Sequence, residues 1–117
     1  MAYFNLIGSD SAALVSEHIK ESIDLGNRVI YLTQDNEPSR EEFPDKNLII
    51  LNYRDQDFRW VLDQAIHCSP DEIVIEISDY SKEFKKSDLQ YLIKTGHSAT
   101  VYDKDKNIEE LVIEYLS

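Results

Sequence analysis

The sequence is poor in the features that tie a small chain together or anchor it. Its single cysteine, Cys68, excludes an intrachain disulfide and fits a reducing compartment. No apolar run approaches the ~20 residues of a helical membrane span. The first residues, Met1-Ala2-Tyr3-Phe4-Asn5, lack a basic n-region, so no signal peptide is expected. Basic residues are also scarce, 12 Lys and Arg against 23 Asp and Glu, which leaves a net charge of −11. That charge repels a phosphate backbone and disfavours nucleic-acid binding. It keeps a small domain in solution and suits a basic partner. The expected setting is the cytoplasm, without membrane insertion. His18, His67 and His97 have no metal-ligand spacing among themselves or with Cys68, so no metal is expected.

What is present is enough for one core. A hydrophobic fraction of 42% beside 30% charged residues reads as globular rather than disordered. Residues 1–117 make one domain.

The pattern alternates along the chain. Tyr3–Ile7 reads as a short strand, followed by Gly8-Ser9-Asp10-Ser11, a turn with helix-capping residues. Ala12, Val15, Ile19 and Ile23 stripe a helix that Gly26 ends. Arg28–Thr33 and Leu48–Leu51 read as strands on either side of a polar loop, 35–47. Phe58, Val61, Leu62, Ala65 and Ile66 stripe a second helix, stopped by Ser69-Pro70-Asp71. Glu72–Ile77 is a strand, Ser81–Lys94 a helix closed by Gly96, and Ser98–Tyr102 a fifth strand. Ile108, Leu111, Val112 and Tyr115 stripe a last helix. Short apolar strands alternating with amphipathic helices predict a three-layer α/β fold, a mostly parallel five-stranded sheet with helices on both faces.

Three stretches carry a resemblance: Phe58–Ile75, in which a helix runs through Pro70-Asp71 into a strand; Leu89–His97, a helix ending in Thr95-Gly96-His97; and Ile7–Val15, a strand leading into a Gly8 turn. With Leu32–Glu37 between them, this ordered set resembles the nucleotide-binding domain of type II and type IV secretion ATPases. The resemblance implies a RecA-like core; a flavodoxin-like or Rossmann-like sheet is the alternative.

The chemistry of that family is missing from the matching positions. A phosphate-binding loop needs G-x-x-x-x-G-K-[ST], with glycines for backbone approach, a lysine for phosphate charge and a hydroxyl for Mg²⁺. Gly8 holds the first position, but Ala13, Leu14 and Val15 stand at the second glycine, the lysine and the hydroxyl. Gln34 replaces the acidic-box Glu. Ile77 falls at the catalytic Glu, with Glu76 one residue earlier and so on the opposite face of the strand. His97 keeps the first position of the histidine box, whereas Tyr102 falls at the second histidine. The expectation is a pseudo-ATPase without catalytic residues, cofactor or metal, in which Gly8, Ser9, Asp10 and Ser11 form a vestigial loop.

The remaining candidates are binding residues. Asp35, Glu37, Glu41 and Glu42 crowd the long loop, either as a solvated acidic segment or as a contact for a basic partner. Asp79 and Tyr80 follow a strand; Gly8, Ser9, Asp10, Asp35, Asp79 and Asp103 would converge at the carboxyl ends of the strands, where open α/β sheets bind ligands. Several carboxylates there would repel phosphate. Trp60 sits off the centre of its helix stripe and would anchor an interface if exposed. The expected function is a non-catalytic binding or regulatory module whose partner is a secretion-system ATPase. The alternative is an acidic inhibitor or immunity protein that neutralises a basic toxin or nuclease.

Overall fold

The short apolar runs become strands of one sheet. The computed structural model describes residues 3–33, 47–77 and 84–116. Its elements are β1 (Phe4–Ile7), a 3-10 turn (Ser9–Ser11), α1 (Ala13–Asp24), β2 (Val29–Thr33), β3 (Leu48–Asn52), α2 (Phe58–His67), β4 (Glu72–Ile77), α3 (Lys86–Lys94), β5 (Ser98–Asp103) and α4 (Ile108–Leu116). The five strands are all parallel, in the order β1-β5-β4-β2-β3.

Handedness distributes the helices. The step from β1 to β2 crosses the sheet in one direction; the steps from β3 to β4 and from β4 to β5 run in the other. Right-handed crossovers therefore put α1 on one face and α2 and α3 on the opposite face. The core divides accordingly. Val15 and Ile19 of α1 pack on Ile7, Val29, Tyr31, Leu48, Ile50 and Val74. Leu62 of α2, Leu92 of α3 and Leu111 of α4 pack with Ile30, Ile73, Ile75 and Val101 on the other face. Truncating a fully buried residue such as Leu62 to Ala is expected to cost about 2–5 kcal/mol. Tyr53, Phe58, Phe84 and Tyr115 form a row of aromatic contacts across the three-helix layer, with centroids 5.1, 5.6 and 5.9 Å apart.

The ends of the elements follow local chemistry. Gly26 (φ 87°) and Gly96 (φ 86°) take the left-handed conformation that closes α1 and α3. The carboxylate of Asp57 accepts the backbone N–H groups of Arg59 and Trp60 at 2.9 and 3.4 Å, capping α2. Asp57→Ala should cost about 1 kcal/mol in urea unfolding, with the m-value unchanged.

Three local expectations are corrected. Ser9, Asp10 and Ser11 do not cap α1; they form the 3-10 turn, and neither Gly8 nor Ala12 makes a side-chain cap. α3 starts at Lys86 rather than at residue 81, because Lys85 is extended and its N–H donates to the Asp88 carboxylate at 2.9 Å. Phe84, ahead of that helix, is buried as expected; 81–83 lie outside the described residues. In α4 only Leu111 and Tyr115 of the stripe are buried, while Ile108 and Val112 are exposed. No helix among the described residues is long and apolar enough to cross a membrane.

Candidate functional site

At the carboxyl ends of the strands the described residues add a buried group that spacing did not single out as a binding candidate, Glu76. The connection leaving β2 and the connection leaving β4 run in opposite directions, so a topological switch lies between these neighbours. Glu76, near the end of β4, faces this switch on the α1 side of the sheet and is 7% exposed. Its carboxylate accepts the Tyr31 hydroxyl at 2.5 Å and the Thr33 hydroxyl at 3.0 Å, both from β2. Lys104, just past β5, places its Nζ 2.5 Å from the other oxygen. The Glu76 backbone carbonyl accepts the buried Tyr53 hydroxyl at 2.5 Å. Burial, followed by the negative charge of Glu76, raises the pKa of Tyr102 on β5. Ile77, the next residue, packs in the opposite core. The register thus puts Glu76 on the α1 face and removes Ile77 from any polar role.

Next to this cluster the Gly8 loop is closed. Ser9 N–H donates to the Lys106 carbonyl at 2.9 Å. A Cβ at Gly8 would lie 2.5 Å from Ile108 N and 2.8 Å from Asn107 C, so the backbone entering α4 fills the volume above the glycine. Asp103 fixes that segment by accepting the N–H groups of Asp105 and Lys106 at 2.8 and 3.1 Å. Burial raises the Asp103 pKa, and these two N–H donors pull it back down. Gly8 precedes the 3-10 turn rather than α1 itself, whose first residue is Ala13. The Cβ side of Gly8 is filled by Asn107 and Ile108, and the Ser9 N–H is taken by the Lys106 carbonyl.

Gly8, Ser9 and Asp103 thus meet through residues 106–108, while Asp10 stays exposed. Asp35, Glu37, Glu41, Glu42, Asp79 and Tyr80 lie outside the described residues. Trp60 is 57% exposed on α2. The preceding residue, Arg59, bonds Asp88 at 2.8 Å and lies 3.9 Å over the Tyr91 ring, joining α2 to α3. Cys68 is half-buried against the core. Among the described residues no group of His, Cys, Asp and Glu has the arrangement of a metal site.

A second buried cluster was missed in the sequence. Glu72, at the amino end of β4, is 1% exposed and faces α1. His18 Nε2 lies 2.8 and 2.7 Å from its two oxygens, and the Tyr3 hydroxyl donates to Oε2 at 2.6 Å. Thr100 Oγ1 is 3.2 Å from the same histidine nitrogen. This cluster ties α1 and the residue before β1 to the centre of the sheet. The signal was present in the order Glu72-Ile73-Val74-Ile75-Glu76-Ile77. A strand buried on both faces, with acids four residues apart, puts both carboxylates inside on one side.

The hydrogen bond to Glu72 is the main cause that raises the His18 pKa above 6.5; burial opposes it and the charges of Glu72 and Glu21 add to it. Tyr3 is pushed up to about 12 by burial and by Glu72, so it remains a donor at neutral pH. A raised histidine pKa contributes stability that is complete below the unfolded value. That contribution is lost as pH rises through the folded value. The folding midpoint in urea should therefore fall as pH climbs above 6.5. His18→Gln should flatten that slope.

Tyr115 Oη is buried without a hydrogen-bond partner among the described residues. Tyr115→Phe is expected to be neutral or to stabilise by about 1 kcal/mol in the same assay.

The fold and this site together define a class: a three-layer α/β domain with an all-parallel sheet and a carboxylate cluster tied into its strand ends. No protein-family model matches the chain, and a search of the curated proteins finds no match.

Proposed function

We propose that the domain is a non-catalytic module that acts in the cytoplasm by binding another protein, and that the partner is basic. The observation carrying this reading is the closed Gly8 loop. On the Cβ side of Gly8 the backbone of 107–108 already stands, and the Ser9 N–H is spent on the Lys106 carbonyl. Leu14, at the position of the phosphate lysine, is 50% exposed and cannot supply a cation. The binding surface is instead built around the exposed Trp60 of α2, in a chain of net charge −11. An exposed aromatic anchor gives affinity, and the acidic field speeds encounter with a cationic surface.

A specific observation also favours a second reading, a degenerate relative of secretion ATPases that docks onto or regulates such a machine. α2 runs through Pro70-Asp71 directly into β4, and α3 ends at Thr95-Gly96-His97, the two element junctions on which the resemblance rests.

Affinity capture from the native host, at low and high salt, separates the readings. The first expects a basic protein whose retention falls with salt and drops about tenfold or more with Trp60→Ala. Secretion components in its place would favour the second. Retention of partners indifferent to both salt and Trp60 would overturn the proposed surface.

A further inference from the structure

Charge is unevenly spread over this chain. Asp and Glu outnumber Lys and Arg 23 to 12, yet one surface groove carries the opposite sign. It lies between α3 and the end of α4, beside the first residue of β1, and has a volume of about 430 Å³. Leu89 and Ile93 of α3, Phe4 of β1 and Leu116 of α4 give it apolar walls. Phe4 and Leu116 remain 36% and 53% exposed there. Among the described residues, the charged groups that line it are Lys86 and Lys94, with no carboxylate.

The spacing on α3 sets these side chains on one face. Lys86, Leu89, Ile93 and Lys94 stand at i, i+3, i+7 and i+8, so a lysine closes each end of a short apolar strip. Eight residues of helix span roughly 12 Å. Lys86 is half-buried, and lysine stems commonly cover apolar surface while the ammonium stays at its edge. Lys94 is exposed and makes no ion pair among the described residues. Helix chemistry accounts for Lys94, in the last turn of α3. It does not account for Lys86, in the first turn, where the helix dipole disfavours a cation.

We infer that this groove binds a small amphipathic carboxylate, an aliphatic chain lying along Leu89 and Ile93 with its head group at a lysine. The apolar walls supply affinity and the two ammonium groups select an anion. Size favours a small molecule over a docked protein helix. The volume falls within the range of small-ligand pockets, about 300–1,000 Å³. A partner helix is held by apolar anchors at i, i+3, i+4 and i+7, over a continuous strip. Between these lysines α3 offers Leu89 and Ile93, one turn apart. A basic protein is repelled here, so the groove is distinct from the Trp60 surface and the inference is independent of the proposed function.

Nuclear magnetic resonance titration of the isotope-labelled full chain with octanoate, and separately with octanol, at moderate salt tests it. Octanoate should saturate, with the shifted amides confined to α3, Phe4 and the end of α4. Octanol should bind about fivefold more weakly. Lys94→Glu should weaken octanoate about fivefold and leave octanol unchanged, and Lys86→Gln should act in the same direction by less. Lys20→Glu, on α1 across the sheet, makes the same change in net charge as Lys94→Glu and should alter neither titration. Equal affinity for octanoate and octanol would overturn the inference, as would a loss from Lys20→Glu as large as that from Lys94→Glu. Octanoate shifts that are absent or never saturate would also overturn it. If an acidic amphipathic peptide shifts the groove where octanoate does not, the occupant is a protein segment and the inference fails.

Discussion

Replacing Glu76 by alanine is expected to lower the unfolding free energy by about 2–4 kcal/mol. The substitution removes the acceptor of the Tyr31 and Thr33 hydroxyls and the ion-pair partner of Lys104 from a strand buried on both faces. Breaking a fully buried pair typically costs about 3–5 kcal/mol. The smaller value follows because the Lys104 side chain is 34% exposed and its ammonium can turn toward water. Glu76→Gln keeps an acceptor oxygen and should cost about 1–2 kcal/mol. Urea unfolding at constant m-value reads both. If Glu76 belongs to the fold alone, neither variant changes partner capture beyond what its stability loss explains. A variant that folds at nearly full stability yet loses the partner would make Glu76 a binding residue.

The second large effect is expected at Gly8. Gly8→Ala should cost about 3 kcal/mol, the upper end for an overpacking substitution. The added methyl meets backbone at 2.5 and 2.8 Å, atoms that no rotamer change can move aside. Gly8 has φ −88°, so strain of handedness plays no part. Gly26→Ala is the control. Its Cβ would meet nothing within 4 Å, and its left-handed φ of 87° should account for a cost of only about 1 kcal/mol. Equal losses at both glycines would mean that the Gly8 loop is open.

The elements were legible because hydrophobic period and helix stops report directly on local structure. Gly26, Gly96 and Pro70 sit where helices end, and β4 occupies the span that its Ile and Val residues indicated. The order of the strands was not legible. Alternating strands and helices fix that the sheet is parallel, but the partner of each strand depends on contacts distant in sequence, such as Phe4 with Ala99. The buried carboxylates were hidden for a related reason. Glu72 and Glu76 look like the polar ends of an apolar run until β4 is known to be the central strand, enclosed on both sides. Their partners, His18, Tyr31 and Lys104, come from separate parts of the chain that no spacing rule connects. The α4 pattern misled in the other direction. Ile108 and Val112 fit a core stripe by period, yet the helix is the last element at one side of the sheet and only its inner row is covered. Among the binding candidates, Trp60 was read from its offset on the stripe, and it is exposed on α2.

The central claim is that the strand-end loop at Gly8 is shut and that the domain acts by binding protein. Isothermal titration of the chain with ATP and Mg²⁺, followed by a phosphate-release assay on the same sample, tests it most directly. The account predicts no saturable heat and no release of phosphate. Saturable micromolar binding accompanied by turnover would contradict it.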